Sequence, residues 1–271
     1  MISPEGYRGD GRKQLEFRHV HCDLNVFDYA DGSCYLEMGN TKLFATVLGP
    51  RESAKKSETQ LDRARVIVSL QLSPFSGSER RKHRNDRKNT EMEIVIRDTM
   101  ESLIFTQLFP RCQIELLLQV TQVDGSLVSA CLNACTLALM DAGIPMHDFL
   151  ISLSAAYAHG IYVLDPCRSE ESMTGSSSEC VLSFLPRSGN VSTFLTSSRI
   201  PLAQLSGLLK DATQASSALH ATFRSLALQH LQGSSEPNPN ASMAMLLSST
   251  AKDNENDIEN DIENAMDVDM V

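Results

Sequence analysis

Residues Gln113 to Val123 are dense in Ile, Leu and Val, and the chain then passes through Asp124-Gly125-Ser126 into a run ending at Ala142. The apolar stretch suits a strand buried on both faces. The run after it is rich in Ala, Cys, Ser and Asn, a composition that lets a helix pack closely, and Gly143 and Pro145 close it. With a basic loop and a helix before them, this strand, turn and helix make up Arg80 to Gly143, the stretch around which the rest of the chain is organised.

Several more elements can be read along the chain. Val20 to Leu48 reads as strands joined by tight turns, with Ser33–Met38 and Thr41–Leu48 carrying β-branched and aromatic residues. Asp31-Gly32 and Gly39-Asn40 supply the positive-φ positions of those turns, and Gly49-Pro50 ends the last strand. Residues 51–62 read as a loop and Arg65–Leu72 as a further strand. A helix capped by Asn89 or Thr90 follows, with Glu91 and Glu93 in its first turn. Met92, Val95, Ile96, Thr99, Met100, Leu103 and Ile104 form its core stripe, and Phe109-Pro110 stops it. Leu150–Ala158 and Ile161–Leu164 form a hairpin around His159-Gly160, and Val181–Leu185 pairs with Val191–Leu195. Residues 165–179 form a polar excursion between the two hairpins, of a length that is often functional or disordered. Pro201 opens a long helix with Leu202, Leu205, Leu208, Leu209, Ala212, Leu219, Phe223 and Leu226 as its stripe.

Charge divides the chain. Residues 232–271 carry nine acidic side chains against Lys252 alone, so of the formal net charge of −10 only about −2 belongs to residues 1–231. The terminal segment, with its near-repeat Asn256-Asp257-Ile258-Glu259-Asn260-Asp261-Ile262-Glu263-Asn264, cannot bury enough apolar surface to offset its ordering entropy and reads as a disordered acidic tail. Docking of that tail on a basic partner is the other reading. Against this background Arg80-Arg81-Lys82-His83-Arg84-Asn85-Asp86-Arg87-Lys88 holds six formal positive charges and one negative. Such a run is either a solvated loop or an anion-binding surface.

Seven cysteines without a C-x-x-C spacing read as free thiols in a reducing compartment, cytosolic or nuclear. Cys131 and Cys135 lie one helical turn apart and fit core packing better than a metal pair, for which further ligands are missing nearby. No apolar run approaches the roughly 18 residues that span a bilayer, and the opening residues are too polar for a secretory signal.

Eight motifs stand in one order: Arg8-x-Asp10-Gly11-Arg12, Asp31-Gly32-Ser33, Glu37-Met38-Gly39-Asn40-Thr41-Lys42, Val47-x-Gly49-Pro50, Asp86-Arg87-Lys88, Leu108-Phe109-Pro110-Arg111, Asp124-Gly125-Ser126 and Asp141-Ala142-Gly143-Ile144-Pro145-Met146. Over about residues 6–231 the chain thereby resembles the ribonuclease PH family, and within it the RNA exosome ring subunit related to the catalytic archaeal one. The resemblance implies an α/β (α+β) fold of two βαβα-like halves around mixed sheets, filling residues 1–231. It implies a place in a six-membered ring of paralogous subunits, with S1/KH cap subunits, single-stranded RNA and a separate catalytic 3′-exonuclease as partners. Nucleus, nucleolus and cytoplasm are the compartments it implies, and no membrane, cofactor or metal.

The resemblance also locates the chemistry. The arginine that clamps phosphate in active relatives falls on Val128, or on Leu127 if the alignment slips by one. Their two aspartates fall on Ser172 and Ser178, with Glu171 and Glu179 one residue away. A hydroxyl replaces neither the titration nor the metal affinity of a carboxylate. The expectation is a subunit without phosphorolytic activity that keeps Arg80, Arg81, Lys82, Arg84, Arg87 and Lys88, with Arg63 and Arg65 as weaker candidates, for the RNA backbone. An active phosphate-dependent 3′-exoribonuclease using Glu171 or Glu179 is the alternative, and an unrelated adaptor on the same fold is a third reading.

Overall fold

The computed structural model describes residues 7–52, 60–77, 80, 87–158, 161–174, 179–197 and 200–234. Residues Met1–Leu226 form one compact unit and Ala227–Val271 a second. Of the acidic tail expected over residues 232–271, the first three residues are helical and residues 235–271 lie outside the described residues.

The helix after the glycine turn, α2 (Leu127–Asp141), is the centre of the first unit, and every residue from Ser129 to Leu139 is buried. Such burial on all sides is available only to a helix whose side chains are small or apolar. One flank packs on β2 (Gly32–Met38) and β3 (Thr41–Glu52), the other on β6 (Ile151–Ala158) and β8 (Glu179–Leu185). Gly32 is where the first flank comes closest: a Cβ there would stand 2.4 Å from the Ala142 backbone nitrogen and 2.5 Å from the Ala138 oxygen. Its φ is not positive, so this glycine is required by close approach rather than by turn conformation, in contrast to Gly39 at φ 59°. On the other flank Asn133 spends both ends of its amide on one residue of β6, donating to Ser152 O at 2.9 Å and accepting from Ser152 N at 2.7 Å.

The first sheet has the order β1-β2-β3-β5-β4, where β1 is Val20–Leu24, β4 Arg65–Leu72 and β5 Cys112–Gln122. It is mixed: β4 and β5 run parallel, linked through α1 (Arg87–Leu103), and the other pairs are antiparallel. The second sheet, β7-β6-β8-β9 with β7 Ile161–Leu164 and β9 Asn190–Thr196, is wholly antiparallel. Two further helices are the short α3 (Arg168–Thr174) and the long α4 (Leu202–Ser234). This is the α+β architecture expected.

Five local expectations are corrected. The strand expected to stop at Gly49-Pro50 continues as β3 to Glu52, absorbing the proline with a register shift between Leu48 and Arg51. Helix α1 starts at Arg87, before Asn89, so Glu91 and Glu93 sit in its second turn; Glu93 accepts the N–H of Leu70 at 2.8 Å and satisfies a donor of edge strand β4. It ends at Leu103, six residues before Phe109, because Ile104 turns into an antiparallel bridge with Met146. Strand β5 is buried on one face only, through Ile114, Leu116, Leu118 and Val120, while Leu117 and Gln119 on the other face are exposed. Leu202 stands outside the stripe of α4 at 81% exposure, because that stripe takes hold only from Leu208.

Candidate nucleic-acid interface

Parallel strands β4 and β5 release the chain at the same end of the sheet, and the loops that follow them meet there. After β5, Gly125 (φ 80°) and Ser126 (φ 54°) turn the backbone through left-handed conformations into α2. The turn is pressed against the segment entering α3: a Cβ on Gly125 would stand 2.5 Å from the Pro166 oxygen and 2.9 Å from the Arg168 nitrogen. Glycine is the one residue that fits both the conformation and the gap. Ser126 donates its hydroxyl to the Pro166 oxygen at 3.1 Å, and its backbone N–H donates to the Glu171 Oε1 at 2.8 Å. The N–H of the residue that caps α2 therefore already faces a carboxylate supplied by α3.

The expected polar excursion is thus a structured element, held by arginines from the opposite end of the chain. Arg8 is buried and forms an ion pair with Glu170, donating from Nε at 2.8 Å, and it also donates to the carbonyls of Leu164 at 2.7 Å and Asp165 at 2.9 Å. Arg18 grips Asp165 through Nε at 2.9 Å and Nη2 at 2.6 Å, and reaches the Asp124 carbonyl at 2.6 Å. Burial alone would raise the pKa of Asp165 and Glu170. The guanidinium groups of Arg18 and Arg8 outweigh it and hold both carboxyls below their ordinary values. Of the Arg8-x-Asp10-Gly11-Arg12 motif, Arg8 is consumed inside the protein, whereas Asp10 and Gly11 stay exposed.

The basic residues read from the sequence divide into two places. Arg80 is exposed beyond the Pro74–Gly77 turn, and Arg87 and Lys88 are exposed on the first turn of α1, Arg87 pairing with Glu91 at 2.9 Å. Arg81, Lys82 and Arg84 lie outside the described residues. Arg63 and Arg65 flank the opposite end of β4, about 23 Å away at the usual rise of a strand, with Arg63 paired to Glu101 at 3.6 Å. Val128 is half-buried on the first turn of α2. Ser172 is exposed on α3, and its hydroxyl is donated to the Ser169 carbonyl at 2.8 Å. Ser178 and the side chain of Glu179 lie outside the described residues.

Sequence reasoning missed Lys42 and Arg168. With Asn40, Phe75, Gly77 and Asp124 they line a cleft of about 520 Å³ between the two loops. Lys42 donates to Glu37 at 2.8 Å, which raises its pKa. Nothing in the sequence pattern marks Arg168, since the turn that receives it is more than forty positions away. All seven cysteines are free; Cys131 and Cys135 are core residues of α2, and burial pushes the Cys131 thiol up to about 12. Among the described residues no three His, Cys, Asp or Glu side chains gather closely enough to ligate a metal ion.

The family model described as the 3′ exoribonuclease family, domain 1, matches residues 16–145. The exosome complex component RRP41 of Mus musculus is 41% identical over 237 residues, covering 87% of this chain and 96% of that protein. The Rrp41 component of Archaeoglobus fulgidus is 36% identical over 203 residues, 75% of this chain and 76% of the relative. Among solved structures, rice Rrp46 superposes with a TM-score of 0.71 at 26% identity, covering 80% of this chain and 98% of the other. With its fold and nearly its whole described length shared in this way, the chain belongs to the ribonuclease PH family of 3′ exoribonucleases.

Proposed function

We propose that this protein is a non-catalytic ring subunit of an RNA exosome core. In this reading it assembles with paralogous ribonuclease PH-like subunits in a six-membered ring beneath S1/KH caps. It passes single-stranded RNA along its exposed arginines and lysines toward a separate 3′-exonuclease, in nucleus, nucleolus and cytoplasm. Relatives that bear exosome component names across nine-tenths of the chain support the assembly.

The observation that carries the loss of chemistry is the bond from Ser126 N–H to Glu171 at 2.8 Å. In active relatives that helix N-terminus receives phosphate and an arginine clamps it. Here a fixed carboxylate occupies the N–H, and the clamp position is Val128. An incoming phosphate would meet a negative charge at the point where it needs a positive one. Incubation of the purified assembly with labelled RNA and inorganic phosphate tests the proposal. No nucleoside diphosphate is expected. Its release, abolished by Glu171→Gln, would establish the active enzyme instead.

A further inference from the structure

The turn joining β4 to Arg80 holds Phe75 outward, with 73% of its surface exposed. An apolar ring displayed so fully gains nothing from the core. Ser76 beside it is buried, and its hydroxyl has no hydrogen-bond partner among the described residues. Both residues line the cleft with Lys42, Gly77 and Arg168. The Arg168 guanidinium lies over Gly77, where a Cβ would stand 3.0 Å from Nη1, so the missing side chain leaves it room. Among the described residues this guanidinium forms no ion pair, and only its backbone N–H is engaged, with Asp124 at 3.3 Å.

A flat apolar face beside an uncompensated planar cation matches the two halves of one nucleotide. Bases of any identity stack on an aromatic ring, and a guanidinium takes a phosphate through paired N–H donors. An apolar ligand would leave the Arg168 guanidinium unanswered, and a free anion would leave the ring unused. We infer that Phe75 and Arg168 form a subsite for one nucleotide of single-stranded RNA, the base on the ring and the phosphate on the guanidinium above Gly77. This rests on the RNA-path reading above and adds a contact that its basic residues do not make.

The test uses the full-length chain, purified with the subunits that accompany it, and fluorescence anisotropy with two oligoadenylates of equal length, one intact and one carrying abasic sites. Phe75→Ala is expected to weaken the intact RNA about 5- to 150-fold, the range set by removing one base from an aromatic stack, and to leave the abasic RNA unchanged. Phe75→Tyr restores binding, and Arg168→Ala weakens both RNAs. Equal affinities of wild type and Phe75→Ala for intact RNA overturn the subsite alone, provided that Arg87→Ala with Lys88→Ala still weakens both. Dissociation of accompanying subunits in Phe75→Ala makes the ring a protein contact and also overturns it. Wild-type protein that binds neither RNA overturns the RNA-path reading and the subsite together.

Discussion

Asp165 joins three parts of the molecule: its carboxylate takes Arg18, its carbonyl takes Arg8 and Arg12, and its left-handed φ of 50° starts the path to α3. Burial opposes its charge, yet the Arg18 guanidinium holds its folded pKa below the unfolded value of about 3.9. The sign follows from linkage: the unfolded chain binds the proton more tightly, so the stabilisation is complete above about pH 4 and is lost as pH falls through the depressed value. Asp165→Asn strands a buried guanidinium and is expected to cost about 3–5 kcal/mol at pH 7. Urea unfolding at pH 7 and at pH 3 checks this: the variant should lie far below wild type at pH 7, with the gap narrowing at pH 3. A constant gap would refute the ion-pair account. Gly125→Ala forces a Cβ onto the Pro166 oxygen and should cost about 1–3 kcal/mol in the same measurement. These roles were not legible in the sequence, because Glu170 lies 162 positions from the Arg8 it pairs with and Asp165 lies 147 from Arg18. Periodicity and turn chemistry report on neighbours within a few residues.

At the scale of elements, what local chemistry fixes could be read directly. The small-residue run became α2, the alternation of Val66, Val68 and Leu70 became β4, and the glycine at residue 143 closes α2 at φ 68°. The misreadings fall where tertiary contacts overrule the local signal. Strand β5 is apolar enough for two buried faces but has a layer on only one, and Gly32 resembles a turn residue but is a contact point for α2. The bridge between α2 and β6 gives the sharpest prediction at this scale. Asn133→Ala leaves the Ser152 N–H and carbonyl without the amide they share. It should destabilise the protein by about 2–4 kcal/mol, as two buried unpaired groups do. Asn133→Leu, which restores volume but not the bonds, should recover little of it. A thermal melt in which the leucine variant matches wild type would show that packing rather than hydrogen bonding holds the interface.

Over the whole molecule, the described basic residues read from the sequence divide between two ends of the first sheet. Arg80, Arg87 and Lys88 share their end of the first sheet with the glycine turn and the cleft, whereas Arg63 and Arg65 lie at the far end of β4. Replacing Arg80, Arg81, Arg84 and Arg87 by Ala should weaken RNA binding of the assembly for every sequence and flatten its salt dependence. The log–log slope should shrink by about 0.7 for each phosphate deprived of its cation. Arg63→Ala with Arg65→Ala should leave that slope as it is. Titrations at several salt concentrations decide, and an unchanged slope in the fourfold variant would remove the basic run from the RNA path. The family was legible in motif order, while the carboxylate that meets the Ser126 N–H at the start of α2 emerged only in three dimensions. The placement of Cys131 and Cys135 inside α2 also equips the protein with a clock. Thiols whose pKa burial pushes up, Cys131 to about 12, and which are shut between two sheets are inert to alkylating reagents until the sandwich parts. The rate at which these two sulfurs acquire a mass tag therefore measures how often the central helix is laid bare.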